Sequence, residues 1–200
     1  KGNANNILVG IITKADNPEE DLKIVRDLGF PTCQIRIPHH NYTLELAERI
    51  TTSLKKFNIK PSSLSTSGPG PCKYNFLDGP SLCGLVPREH RTARVERLMQ
   101  AIDFCKAAGI PDVISHFGYI PENPKDVLYL EFVDTLKSLT EYALKQGINL
   151  LFESGTETPV TTLRTIKDVG TGNLLINYDT ANLIMYGKAN PFDGLKVVGK

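Results

Sequence analysis

The sequence predicts an α/β fold, a parallel sheet assembled from strand–helix units, and three observations carry that expectation. Six short strand-like runs recur along the chain. Each is followed by a segment whose apolar residues return at helical spacing. A Gly or Pro stands near most junctions, and the unit repeats about every thirty residues, the length of one strand and its crossover helix.

Taken in order, Ile7–Ile12 is a continuous apolar run and reads as a buried parallel first strand. Asp16-Asn17-Pro18-Glu19-Glu20 opens a helix, with a capping residue, Pro in the first turn and acids at the positive end of the dipole. That helix is expected to bury Leu22, Ile24, Val25 and Leu28 and to stop at Gly29. Cys33–Ile37 is the second strand, ended by Pro38. Thr43 caps a second helix carrying Leu44, Leu46, Ala47, Ile50 and Leu54, and Ser62–Thr66 is the third strand. Ser67 to Pro87, rich in Gly and Pro, is expected to form no regular element; Tyr74 and Phe76 favour an ordered lid over a floppy linker, with a packing loop that simply covers a barrel end as the equal alternative. Arg88–Ala108 is a helix with Val95, Leu98, Met99, Ile102 and Cys105 on its buried face, and Phe104 opposite. Asp112–Ser115 is the fourth strand, Asn123-Pro124 opens the next helix, and Ile148–Phe152 and Leu174–Tyr178 flank one more. Asn190-Pro191 starts a last helix.

With 200 residues the chain makes one domain, 1–200, more readily than two. A hydrophobic share of 40% and a charged share of 22% are those of an ordinary globular protein. No apolar run is long enough for a membrane span. A net charge of +1 without a basic stripe argues against nucleic acid as a partner. Cys33, Cys72, Cys83 and Cys105 show neither CxxC nor zinc-like spacing, so four free thiols in a reducing, cytoplasmic setting are expected. The polar start at Lys1, lacking Met, keeps export open as the alternative.

Two sheet closures suit this pattern. A doubly wound sheet would bring a nucleotide signal, yet no GxGxxG follows a strand and Gly187-Lys188 lacks the upstream glycine of a P-loop. The other closure is a (β/α)8 barrel, which normally takes about 250 residues. On that reading about six βα units are present, and strands seven and eight are missing. Uncovered edges on the first and sixth strands would then favour a longer natural product or a neighbouring chain, including a homo-oligomer.

In a parallel barrel the residues just past each strand ring one mouth, the end where such folds place their chemistry. They are Thr13 and Lys14, His39 and His40, Thr66 and Ser67, His116, Glu153, and Asp179 with Asn182. Glu153 and Asp179 each end an apolar strand, and two adjacent carboxylates repel unless a proton or cation sits between them. That pair is the expected core of a divalent-metal site. His116 follows a strand end and precedes Phe117-Gly118; taken alone it would more often be a satisfied core histidine. His39-His40 is as readily an exposed pair as a ligand pair. Asp179 could instead be a helix cap, whereas Glu153 is a poor capping residue.

These residues also carry a resemblance. Phe152-Glu153-Ser154-Gly155 with Glu157-Thr158-Pro159, Asn177-Tyr178-Asp179-Thr180-Ala181-Asn182-Leu183, Gly84–Glu89 and His116–Pro124 resemble, in order, the xylose isomerase-like TIM barrel group of sugar phosphate isomerases and epimerases. The resemblance implies a (β/α)8 barrel holding a divalent ion, Mn2+ foremost and Mg2+, Co2+ or Zn2+ as alternatives, between Glu, Asp, His and Glu. Glu153 and Asp179 match the first two ligands; the others are expected on strands seven and eight, past Lys200. It further implies Glu153 as ligand and general acid or base, Asp179 as ligand, and substrate contacts from His116, Asn182 and Glu157. Glu157 could equally support the metal shell or serve as a first-turn helix carboxylate.

The expected function is therefore metal-dependent isomerisation or epimerisation of a sugar, sugar phosphate or related keto-polyol through an enediolate. A keto-inositol dehydratase and a catalytically incomplete sugar-binding barrel are the alternatives. The endonuclease-like branch of the group is disfavoured: its Asp-x-x-His step reads Asp179-Thr180-Ala181-Asn182 here, and no His ends the third strand.

Overall fold

The structure, a computed structural model, describes residues 7–37 and 41–199. The expected pair His39-His40 lies outside the described residues. Six strands, β1 (Gly10–Lys14), β2 (Thr32–Arg36), β3 (Lys60–Ser65), β4 (Asp112–Ser115), β5 (Asn149–Glu153) and β6 (Leu174–Asn177), pair only in parallel and stand in sequence order. A doubly wound sheet would reverse its order part-way. The unbroken order is that of consecutive staves, so the molecule is an α/β barrel with six of the eight strands of the (β/α)8 form.

Eight helices accompany the strands among the described residues: α1 (Pro18–Asp27), α2 (Leu44–Phe57), α3 (Gly79–Leu82), α4 (Arg88–Ala108), α5 (Val127–Gln146), α6 (Pro159–Val169), α7 (Thr180–Met185) and α8 (Pro191–Val198). The core lies between strands and outer helices, where Ile35, Leu64, Val113 and Leu150 meet Leu22, Ile50, Ile102, Phe132 and Leu136. Strand alternation turns the other set, Gln34, Arg36, Ser65, Glu153 and Asn177, into the lumen.

Several caps are as expected. Thr43 accepts the Leu46 amide at the start of α2, and Asn190 accepts that of Phe192 at the start of α8. Other expectations are corrected. The first strand begins at Gly10; Ile7 and Val9 precede it and are exposed, and Ile12 is exposed on the lumen side. Ile24 and Leu28 fall on the solvent side of α1, which buries Pro18, Leu22 and Val25; Leu44 is likewise exposed. Helix α5 is capped by Asp126, not by Asn123. Phe104 is buried after all, its ring 5.3 Å from that of Tyr42 in the helix-connecting layer.

The stretch Ser67–Pro87 does contain a regular element, the single turn α3. It also corrects the thiol count: Cys72 and Cys83 form a disulfide across it, while Cys33 and Cys105 stay free and buried. The loop doubles back, which brings the two Cα atoms within 4.8 Å, a proximity that spacing along the chain does not reveal. Arg94, on α4, holds the same loop from beneath. Its guanidinium is buried and donates to the carbonyls of Pro69, Pro71 and Gly84.

Candidate active site at the carboxyl ends of the strands

Strand β5 ends on Glu153, in register with Asn177 of β6, whose side-chain amide donates to Glu153 Oε2. Two residues beyond Asn177, Asp179 leaves the strand and caps α7. Its Oδ1 accepts the amides of Ala181 at 2.8 Å and Asn182 at 3.0 Å. Ser154 ties the two strand ends together: its amide donates to the Asn177 carbonyl, and its hydroxyl accepts the Asp179 amide at 2.8 Å. The carboxylates are thereby held side by side. Burial, with the Asp179 charge as the second cause, pushes the Glu153 carboxyl up to about 7. Asn177 and Arg36 work in the opposite direction.

His116 follows β4 and lies half-buried in the same lumen. Burial lowers its pKa, against the Asp179 charge and a hydrogen bond to the Glu153 backbone. Its Nδ1 is buried and has no hydrogen-bond partner. Tyr74 of the lid sits over the imidazole, ring centroids 4.9 Å apart, which lays this part of the loop across the mouth. The lid reaches that position through a bridge between Gly84 and Gly118. The Leu85 amide donates to the Phe117 carbonyl beside it, and a Cβ on Gly84 would lie 2.1 Å from the Phe117 carbonyl.

The two remaining predicted residues are placed differently. Asn182, half-buried in α7, packs its Cβ where a side chain on Gly155 would be, which locks the β5 and β6 loops together. Glu157 is 2% exposed. Its carboxylate is taken up within its own turn by the Gly155 amide and the hydroxyls of Thr156 and Thr162, and burial raises its pKa. The structure thus sets Glu153 and Asp179 side by side with His116 in the same lumen, not converging with them on one point, and leaves Glu157 behind the loop.

The chain matches the Xylose isomerase-like TIM barrel family over residues 22–199. It belongs to that family. Among solved structures, a xylose isomerase domain protein from Planctomyces limnophilus is 31% identical, with a TM-score of 0.87 over 96% of this chain and 68% of the other. A D-psicose 3-epimerase crystallised in the presence of D-fructose shares 16% identity at a TM-score of 0.70, over 95% of this chain and 70% of its own. A xylose isomerase-like TIM barrel protein from Mycobacterium smegmatis in complex with magnesium shares 18%, at a TM-score of 0.68 over 96% and 72%. At such identities the last two establish the fold alone. Comparison with functionally curated proteins gives no match.

For a xylose isomerase-like barrel the question is whether these residues fit a metal. Two half-buried carboxylates that repel one another are suitable hard ligands for a divalent cation, which would relieve the repulsion. Among the described residues, however, no group of three His, Cys, Asp or Glu side chains converges. The fit is therefore that of a partial site.

Reading the sequence missed Gln34, Arg36 and Asn177 as lumen residues. The signal was available in Cys33–Ile37, where alternation places Gln34 and Arg36 together on the face opposite buried Cys33 and Ile35.

Proposed function

We propose that the barrel catalyses divalent-metal-dependent isomerisation or epimerisation of a sugar or related keto-polyol. One observation carries this reading: Glu153 ends β5 in the lumen with the Asp179 carboxylate beside it, a pair able to hold a cation, and burial and the Asp179 charge raise the Glu153 carboxyl in the metal-free chain. A carboxyl in that place can take and return a proton, which is what epimerisation beside a carbonyl requires. Glu153 and Asp179 would hold the cation, Mn2+ or Mg2+, with further ligands from outside this pair. A bound cation would polarise the substrate carbonyl and so acidify the neighbouring C–H. Glu153 then moves the proton, Asn177 orients the Glu153 carboxylate, and His116 and Asn182 face substrate hydroxyls. Glu157 stiffens the β5–α6 turn from behind.

The test is solvent exchange. With Mn2+ added, ketoses incubated in D2O should gain deuterium at the carbon beside the carbonyl, seen by NMR, together with C3 epimerisation or aldose–ketose exchange. No exchange with any ketose or aldose sinks the proposal. A second reading, a sugar-binding barrel without turnover, is favoured by the lack of a third convergent ligand among the described residues. It predicts weak Mn2+ binding and sugar binding that is indifferent to the metal.

No described helix is long and apolar enough to cross a membrane. For location, the Cys72–Cys83 bridge favours an exported protein over a cytoplasmic one, since such bonds persist in oxidising compartments.

A further inference from the structure

We infer that the mouth of this barrel is bipolar, and that its substrate is a carbohydrate carrying an anionic group, a carboxylate or a phosphate, held by Arg36. The inference rests on the isomerase reading above and narrows its substrate class.

Arg36 is the last residue of β2, in register with Lys14 of β1 on one side and Ser65 of β3 on the other. It lines a lumen cavity of about 120 Å³ that also includes His116, Glu153 and Asn177. It also lines a second space of about 330 Å³ with Ser65, Thr66, Tyr74 and His116. Arg36 on β2 therefore borders the same volume as Glu153 on β5. Arg88, Arg91, Arg94 and Arg164 all direct their donors to carboxylates or carbonyls of the protein. Arg36 is exposed, and among the described residues no hydrogen bond holds it and no carboxylate lies within ion-pair distance. Its charge is felt at both His116 and Glu153.

An arginine presents five donors in a fixed fork that matches the oxygens of a carboxylate or phosphate. A neutral sugar would leave that fork poorly matched. Charge balance leads to the same conclusion. A divalent cation between Glu153 and Asp179 would cancel both carboxylates, and among the described residues Arg36, with Lys14 beside it in register, then has no ion-pair partner on the β1–β2 side. An anionic substituent there would neutralise the wall and hold the substrate's reactive carbons toward β5 and β6.

The experiment is calorimetric titration of the full chain with Mn2+, using D-fructose, D-fructose 6-phosphate and D-glucuronate as probes. One anionic sugar should bind at least about tenfold more tightly than D-fructose; which one does so separates phosphate from carboxylate. In Arg36→Met that preference should fall by about 10- to 100-fold, with D-fructose changed less than about threefold. Arg36→Lys should restore part of it, and melting curves of both variants report on folding. Equal binding of the three sugars, or a preference that survives Arg36→Met, overturns the inference. Deuterium exchange on the same samples tests the parent reading separately. An anionic sugar bound through Arg36 that gains no deuterium defeats the isomerase and leaves the anion subsite standing.

Discussion

Asp179 holds two roles at once: one carboxylate oxygen caps α7 through the amides of Ala181 and Asn182, while its charge raises the Glu153 carboxyl next to it. The capping bonds keep Asp179 in place, so the repulsion cannot be relieved by its side chain swinging away. In metal-free protein this has a defined pH signature. Glu153 binds its proton more tightly when folded, about 7 against an ordinary 4.5. Folding between those values therefore takes up a proton, and stability falls as pH rises from about 4.5 to about 7, then levels off. Melting temperature in EDTA should show that fall, Glu153→Gln should flatten it, and Mn2+ should raise the melting temperature most above pH 7.

Glu153→Gln removes the proton carrier but keeps the shape. Deuterium exchange should drop about 10²- to 10⁴-fold, the usual worth of a positioned general base. Single-turnover NMR on wild type and variant checks it, and exchange within threefold of wild type would assign the proton transfer elsewhere.

Asp179→Asn separates cap from charge. Asparagine caps as well as aspartate, so metal-free melting should be unchanged or slightly higher. Mn2+ affinity should fall by about 100-fold or more, since even outer partners of a metal are worth about 10- to 100-fold. Electron paramagnetic resonance of free Mn2+ measures this directly.

The Cys72–Cys83 bridge closes a short loop, a separation of 11 residues. Replacing both cysteines by serine should cost about 2–3 kcal/mol, read from denaturant midpoints, and dithiothreitol should reproduce the loss in wild type. A midpoint indifferent to reductant would mean the thiols are not joined.

Gly84 and Gly29 both have positive φ, 72° and 80°, but only Gly84 meets backbone at contact distance. Gly29→Ala should cost about 1 kcal/mol for its backbone conformation alone. Gly84→Ala carries the same term and must also push the lid off Phe117, so about 1–3 kcal/mol more is expected. The same change should raise the KM for sugar, because Tyr74 loses its seat over His116.

Much of this molecule is legible without coordinates. The order of strands and helices, the helix Arg88–Ala108, the caps Thr43 and Asn190, and the position of Glu153 and Asp179 at the ends of strands follow from local propensity and apolar period, which act within a few residues. Those are short-range forces, and a sequence records them directly. Burial is less local: Ile24 and Leu28 repeat at helical spacing with Leu22 and Val25, yet lie where no partner element covers them.

What only the tertiary structure decided are relations between distant segments. The Cys72–Cys83 bond, the three carbonyls gathered by Arg94 and the seat of Tyr74 on His116 each depend on how loops fold back. Arg36 shows the difference most clearly. Its place on β2 is written in an alternation of period two, but that the alternation faces a lumen shared with Glu153 depends on the sheet curving into staves. Residue type and period establish which groups a strand presents. Curvature of the sheet brings opposite walls together, and that long-range packing creates the mouth.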